Sequence, residues 1–399
     1  MTPKKRIKIL IVASDYPSVH DSASGVFFRE QARAIAMYND VTVLCFYSRP
    51  VKASNLWKAY RVNKNTENGI PTIRFEYPKI WEKMDGLNYL LIIIYSIFLV
   101  RKEGPFDIIH AQKFFPSGLV GYALKKKYKS RLVVTEHAGD FKHSMRSLLR
   151  RISIKNVMKN SNRVIAVSSF LANSIKEYAT NLKIEVVPNP VNTKKFCVNF
   201  RQNAARKNKK ILHISDLKTI KGIHIIIEAA DKLRKKRSDF VIIIIGGKRK
   251  PIKKWRDSLK FRTDFIKFLG EMNHEEIASY MRACDFFILP SLRESFGAVL
   301  IEAMACGKPV LTTRCGGPEE IVSSDVGIII PPNDVDSLTN ALDYMLDNYH
   351  EFDSEIIAKF AADNFSYDVV GRRLDFIYRE ILASPLSSWP DMMNPQSKK

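Results

Sequence analysis

Short apolar runs alternate with amphipathic stretches along almost the whole chain, a pattern that predicts strands feeding helices. Ile7 to Ala13, Val41 to Phe46, Thr72 to Glu76, Asp107 to His110, Arg131 to Glu136, Arg163 to Ser168 and Ile184 to Val187 read as the strands of a first domain. Lys210 to Ser215, Phe240 to Ile245, Phe265 to Gly270, Asp285 to Leu289 and Gly327 to Pro332 read as those of a second. Helices are expected at Phe27 to Tyr38, Ser117 to Lys127, Ala298 to Ala305, Asp334 to Tyr349, Ser354 to Asn364 and Tyr367 to Leu382, with Gly307 as the stop after Ala298 to Ala305. The alternation argues an α/β protein of two doubly wound, Rossmann-like domains facing a cleft. The expected divisions are a first domain over 1–190, a linker over 191–209, a second domain over 210–365, a last helix over 366–383 and a disordered Ser- and Pro-rich tail over 384–399.

Two stretches resist this scheme. Tyr47 to Gly69 has no readable periodicity. Leu87 to Val100, LNYLLIIIYSIFLV, is the most apolar segment, yet at 14 residues it falls short of the roughly 20 needed to span a bilayer. It reads as a buried helix of the first domain, with a helix dipping into a lipid interface as the alternative.

Composition adds bounds to this architecture. A chain of 399 residues, 46% hydrophobic, can bury two full cores. Its 64 Lys+Arg against 41 Asp+Glu leave a formal charge of +23, which suits nucleic acid, an anionic membrane or a phosphorylated small molecule. No finger, RNP or helix-turn-helix pattern supports nucleic acid. The basic clusters Lys125 to Lys129, Arg146 to Arg151 and Lys155 to Lys159 lie beside apolar residues in the first half, which favours a membrane surface over a merely solvated basic face. Five cysteines, an odd number without metal-type spacing, fit a reducing, cytoplasmic setting. The N-terminal apolar run, Ile9 to Ala13, is too short for a signal peptide. No metal or cofactor is expected; Asp334 and Asp336 sit at a helix start and read as capping residues.

The chemistry concentrates in PSLRESFGAVLIEAMACGKPVLTT, Pro290 to Thr313. Glu294 and Glu302 are about 12 Å apart if one helix carries both, and further if Glu294 is on the loop. A carboxylate accepts two hydrogen bonds side by side, so one could hold the vicinal hydroxyls of a ribose and the other those of a sugar. Backbone N–H groups around Phe296 and Gly297, at a helix N-terminus, would face a diphosphate. Lys221, before Gly222 and a helix, could stabilise a departing diphosphate. His137 follows a strand end, where functional groups of open α/β sheets gather; His110 is similarly placed.

This segment resembles the donor-binding signature of the retaining glycosyltransferases of family 4, which have the GT-B fold: a Glu, seven residues and a second Glu in a context like PS-x-x-E-[GS]-F-G-x-x-x-x-E-A-M-A-x-G-x-P-V. Gly316, Gly317, Glu319, Glu320, Ile321, the strand from Gly327 to Pro332, and Pro188 to Val191 extend the resemblance to nearly the whole chain. It implies sugar transfer from a UDP- or GDP-sugar to an acceptor hydroxyl with retention of configuration, and a last helix that returns to the first domain. It further implies His137, Glu294 and Lys221 as catalytic residues, and donor contacts from Gly25, Lys218, Gly247, Gly270, Arg293, Ser295, Phe296, Gly297, Ala298, Val299 and Glu302. Asp216 stands where the family usually has an Arg on the diphosphate, so either Lys218 takes over, the clamp is weaker, or Arg293 compensates.

The basic, apolar first domain suggests a carbohydrate or lipid-linked acceptor in surface polysaccharide or glycolipid assembly, met on the inner face of a membrane. Two rivals share the fold. A sugar-nucleotide epimerase lacks this spacing of Glu294 and Glu302. An inactive nucleotide-sugar-binding protein would have lost the reaction-centre groups, whereas Glu294 and His137 are both present.

Overall fold

The computed structural model describes residues 5–18, 24–49, 60–78, 85–199, 208–258 and 265–385. Contacts group the chain into two units, Met1–Pro188 with Tyr367–Lys399, and Asn189–Ser366.

The first unit runs β1 (Lys8–Ala13), α1 (Val26–Ala36), β2 (Asp40–Arg49), β3 (Arg61–Glu67), β4 (Ile70–Pro78), α2 (Asp85–Leu99), β5 (Ile108–Gln112), a π-helical turn at Phe114–Gly118, α3 (Leu119–Tyr128), β6 (Arg131–Glu136), α4 (Phe141–Ser144), α5 (Leu148–Asn160), β7 (Arg163–Ala166), α6 (Ser169–Lys176) and β8 (Ile184–Val186). Its sheet has the order β3-β4-β2-β1-β5-β6-β7-β8, parallel except for the β3–β4 hairpin. That hairpin explains the later part of the unreadable stretch, whose residues 50–59 lie outside the described residues: RVNKNTE is an edge strand whose residues are nearly all exposed, so no apolar run marks it.

The second unit runs β9 (Lys209–Ile214), α7 (Ile223–Arg234), β10 (Phe240–Ile245), α8 (Arg249–Ser258), β11 (Ile266–Gly270), α9 (His274–Ala283), β12 (Phe286–Leu289), α10 (Ala298–Ala305), β13 (Val310–Thr313), β14 (Gly327–Ile330), α11 (Val335–Asn348) and α12 (Ser354–Phe365). Its six strands, all parallel, have the order β11-β10-β9-β12-β13-β14. Helices enter through polar caps: Asn273 and Glu276 form a capping box on α9, and Asp334 accepts from Ser337 N at 2.9 Å on α11. Asp336 instead pairs with Lys232 at 2.6 Å. Among the described residues no group of three or more His, Cys, Asp or Glu could hold a metal ion.

The last helix, α13 (Tyr367–Ala383), belongs to the first unit. It lies so close to α1 that a Cβ on Gly371 would stand 2.4 Å from Ala34 O. Val370, Leu374, Ile377, Tyr378 and Ile381 share one core with Ile9 and Ile11 of β1 and Phe28 and Ile35 of α1. Tyr378 also explains His110: its hydroxyl is 2.6 Å from Nδ1, and Thr135 Oγ1 is 2.7 Å from Nε2. With both ring nitrogens bonded inside the core, His110 is a structural residue and not part of the site.

Leu87 to Val100 differs from the buried helix expected of it. α2 buries Asn88, Ile92 and Ser96, while Leu90, Ile94 and Phe98 are 53%, 53% and 54% exposed. Among the described residues no helix is long and apolar enough to cross a membrane. Of the expected linker, Val191 and Phe196 are buried, and Val191 N donates to Phe365 O at 2.7 Å. Residues 200–207 of the linker, and the tail from 386, lie outside the described residues.

Candidate active site

In the second unit the chain winds from β9 outward through β10 to β11, then returns to β12 on the other side of β9. Connections from neighbouring strands depart in opposite directions there, so the loops after β9 and β12 part at the carboxyl edge of the sheet, the place where open α/β folds hold ligands. Lys221 is on the first loop and Glu294 on the second; Lys221 Nζ lies 2.5 Å from Glu294 Oε2, with side chains 22% and 14% exposed.

Several contacts fix these loops. His213, buried in β9, has Nδ1 3.0 Å from Ile288 O and Nε2 2.8 Å from Ser215 Oγ. A carbonyl can only accept, so Nδ1–H donates to it and Nε2 accepts from the Ser215 hydroxyl, which in turn accepts Leu217 N at 3.2 Å. Trp255 Nε1 donates to Leu217 O at 3.0 Å, and Leu292 N to Ile220 O at 2.8 Å. Gly222 has φ +74°, and a Cβ there would stand 2.0 Å from Pro290 O. Only glycine permits both that backbone shape and that approach, which is what brings Lys221 to Glu294.

Burial alone would lower the Lys221 pKa, but the charge and hydrogen bond of Glu294, with Asp216 beyond, outweigh it and raise the value. The ammonium therefore stays charged. Burial pushes His213 down to about 4 and His110 to about 3. A base with a depressed folded pKa contributes stability that is complete above its unfolded value, about 6.5, and lost as pH falls through the folded one. The urea midpoint is thus expected to fall between about pH 6.5 and pH 4. The variant His213→Gln should remove about 1.4 kcal/mol per pH unit from that slope, which denaturant titration at a series of pH values checks.

Glu294 sits on the loop rather than on α10, its N–H donating to Cys315 O at 3.2 Å and its carbonyl accepting Gly317 N at 2.9 Å. One helix therefore does not carry both carboxylates. Gly297 caps α10 with φ +91°, and Ala298 and Val299, half-buried, begin its first turn. Ser295 and Phe296 are buried, and Phe296 packs on Phe365 with ring centroids 6.0 Å apart, so its backbone is what faces the loop. Glu302, on α10, has Oε1 3.4 Å from His274 Nε2, and the His274 ring stands edge-on to Phe196 at 5.4 Å. Gly247 follows β10 and Gly270 ends β11, both with positive φ.

Arg293 is half-buried in the same loop as Glu294. Lys218 is 75% exposed, with Nζ 2.7 Å from Asp216 Oδ2. Burial would raise the Asp216 pKa, but Lys218 and then Lys221 hold it low. Where the family carries a cation, this chain carries an acid with its own counter-ion.

The first unit repeats the topology, with its switch point between β1 and β5. Asp15 follows β1, Lys113 follows β5, and Lys113 Nζ is 2.7 Å from Asp15 Oδ2. Lys113 has φ +79°, a backbone strain of about 1 to 3 kcal/mol for a residue with a side chain. Gly25, φ +67°, packs so tightly that a Cβ would meet Asp15 O at 2.5 Å. His137, on the loop after β6, is buried against Phe27 and Phe28, with Nε2 2.8 Å from Gln112 Oε1. Gln112 donates to Gln31 at 2.7 Å. The Glu136 carboxylate accepts from the N–H groups of His137, Ala138 and Phe114 at 2.9, 2.9 and 3.0 Å.

Sequence reasoning missed Asp15, Lys113, Gln112, Glu136, His213 and Ser215. Their only signal was position near a strand end, which becomes informative once the strand order is known.

Two α/β domains on mainly parallel sheets fit the GT-B architecture. The description "Glycosyl transferases group 1" matches residues 198–361 and "Glycosyltransferase Family 4" matches residues 24–195. An uncharacterized glycosyltransferase of Methanocaldococcus jannaschii is 32% identical over 270 residues, covering 67% of this chain and 73% of that protein. The gpi3 subunit of phosphatidylinositol N-acetylglucosaminyltransferase from Schizosaccharomyces pombe is 27% identical over 244 residues, covering 59% and 52%. Among solved structures, Anabaena HepE in complex with UDP and glucose superposes with a TM-score of 0.71 at 19% identity, covering 94% of this chain and all of that one, 100%. The chain belongs to glycosyltransferase family 4, the group 1 glycosyl transferases, and is an enzyme of the hexosyltransferase class.

Proposed function

We propose that the enzyme moves a sugar from a UDP- or GDP-sugar to a hydroxyl of a carbohydrate carried on a lipid, with retention of configuration, at the inner face of a membrane during surface polysaccharide or glycolipid assembly. The observation that carries the donor half is the Lys221–Glu294 pair at the switch point of the second unit. A nucleoside diphosphate leaving a sugar gains negative charge, and a half-buried ammonium that stays charged is suited to stabilise it. The Glu294 carboxylate, released from Lys221 by the incoming phosphates, is left to accept the sugar hydroxyls, with Glu302 for a second vicinal pair. Backbone around Gly297, Ala298 and Val299, and the turns at Gly247 and Gly270, would border the nucleotide, with Ser295, Phe296 and Arg293 shaping the same loop. Of the replacements considered for the family Arg, Lys218 is engaged by Asp216, so a clamp resting mainly on Lys221 is the reading we adopt.

In the reaction the acceptor oxygen bonds to the anomeric carbon as the carbon–phosphate-oxygen bond breaks. The acceptor proton passes to an oxygen of the departing diphosphate. His137 is assigned to the reaction centre and Gly25 to the loop bordering it, on the family resemblance. Support for a nucleotide-sugar donor also comes from the UDP bound in the HepE structure, and support for a lipid-borne acceptor from the phosphatidylinositol named for the yeast relative.

The test is release of nucleoside diphosphate from a panel of UDP-, GDP- and ADP-sugars. Slow hydrolysis of one UDP- or GDP-sugar is expected, falling by at least about 100-fold in Glu294→Gln. Absence of both turnover and thermal stabilisation by any nucleotide would overturn the proposal.

A further inference from the structure

Six of the fourteen exposed large hydrophobic side chains among the described residues lie on just two helices, α2 and α5 of the first unit. On α2, Leu90, Ile94 and Phe98 recur every four residues and so form one stripe, on the side away from buried Ile92 and Ser96. On α5, Leu148, Leu149 and Ile152 are 59%, 66% and 57% exposed and lie opposite buried Ile154, Val157 and Met158. The two patches belong to one surface. Tyr89 of α2 meets Phe115 edge-on at 4.6 Å, and the Arg150 guanidinium of α5 lies 5.7 Å from the same ring. The row is completed by α3, which packs against both helices.

The charge along α5 and at the end of α3 has one sign. Residues 141–160 contain six Lys or Arg and no Asp or Glu, and α3 ends in Lys125, Lys126 and Lys127, again with no acid in the helix. At the far end of α2, the Arg101 guanidinium lies 4.1 Å from the Phe98 ring. Apolar side chains facing outward between long basic ones are what a helix lying in a headgroup layer requires: the aliphatic groups enter the acyl boundary, and the cations reach anionic phosphates. Nucleic acid would use the cations but leave six apolar side chains in water.

We infer that the outer faces of α2 and α5 form a docking surface for an anionic lipid leaflet, which delivers a lipid-linked acceptor to the strand ends of the first unit. The inference rests on the lipid-borne acceptor proposed above and gives it a place. Phe115 stands two residues beyond Lys113, and α5 begins eleven residues after His137, so the surface starts at the strand ends where those groups lie. An acceptor whose lipid stays in the leaflet would present its carbohydrate there.

The test is co-sedimentation of the full chain with vesicles of phosphatidylcholine, with and without phosphatidylglycerol, at low and raised salt. Binding is expected only with phosphatidylglycerol and should weaken with salt. It should fall by at least about tenfold in Leu148→Gln/Leu149→Gln/Ile152→Gln, and by about fivefold for each charge removed in Arg150→Gln/Arg151→Gln/Lys155→Gln. Phe376→Gln, an exposed apolar residue of α13, serves as the control and should bind as the parent does. Circular dichroism confirms that each variant is folded. Parent-like binding by both triple variants would overturn the inference, as would binding indifferent to phosphatidylglycerol, or self-association that the apolar variant abolishes. Donor hydrolysis without vesicles is expected to be unchanged in all of them; its absence in the parent would sink the donor assignment and leave the lipid result standing.

Discussion

Replacing Lys221 by alanine is expected to lower kcat/KM for donor turnover by about 100- to 1,000-fold, the usual effect of removing one fixed donor from a developing anion. The loss should appear mainly in kcat, because the diphosphate gains charge as the sugar departs; a rise in KM alone would mean that Lys221 binds donor and transition state alike. Lys221→Arg should restore part of the activity, since it returns the charge but not the compact ammonium that fits 2.5 Å from Glu294. Stability should fall too, by about 1 to 3 kcal/mol at neutral pH, less than for a fully buried pair because both side chains keep some access to water. The Lys221 pKa is raised by folding, so its contribution is complete below the unfolded value, about 10.4, and is lost only as pH rises through the folded one. Urea midpoints of parent and variant should therefore differ from pH 6 to pH 9 by a constant amount. Undiminished turnover in Lys221→Ala would remove the second-unit switch point as the donor site.

Gly222→Ala is expected to damage the same site without touching a charged group. The added methyl would stand 2.0 Å from Pro290 O at a residue with φ +74°, and the atom it meets is backbone. Either the loop carrying Lys221 or the segment leading to Glu294 must move. The cost should be at least about 2 kcal/mol, combining the left-handed backbone with the clash, or some 4 to 8 °C of melting temperature for a unit of this size. Activity should fall at least about tenfold, because displacements of an ångström in a charge-stabilising group are felt directly in the barrier. Calorimetry and the diphosphate-release assay on one preparation read both effects. A stable, fully active Gly222→Ala would mean that the close approach at Pro290 does not set the position of Lys221.

Most parallel strands are legible because burial on both faces makes them continuous apolar runs; Arg131 to Glu136 and Phe240 to Ile245 match β6 and β10 to the residue, whereas the four-residue β13 is not marked. The same criterion is blind to β3, which is polar because it lies on an edge. It also misjudged α2, whose apolar residues occupy both the side facing the core and the side facing out; periodicity cannot mark a buried face when the other face is apolar too. In the site, Glu294 and Lys221 could be picked out by chemical type and motif, but not as partners 73 positions apart. That contact depends on β9 and β12 being neighbours, and strand order is a long-range property that local pattern does not carry. For the same reason neither the pairing of Asp15 with Lys113 nor that of His110 with Tyr378 has a local signal in the sequence.

The position of α13 bears on how the chain comes off the ribosome. The first unit is built from segments that precede and follow the second, while Asn189–Ser366 forms the second from one uninterrupted stretch. Synthesis therefore delivers every residue of the second unit before the first can be finished. Until α13 emerges, the core that holds Ile9, Phe28, Ile35 and Val43 lacks Leu374, Ile377 and Tyr378, and the His110 ring lacks its hydroxyl partner. The core of the amino-terminal segment, although made first, is completed only when α13 joins it.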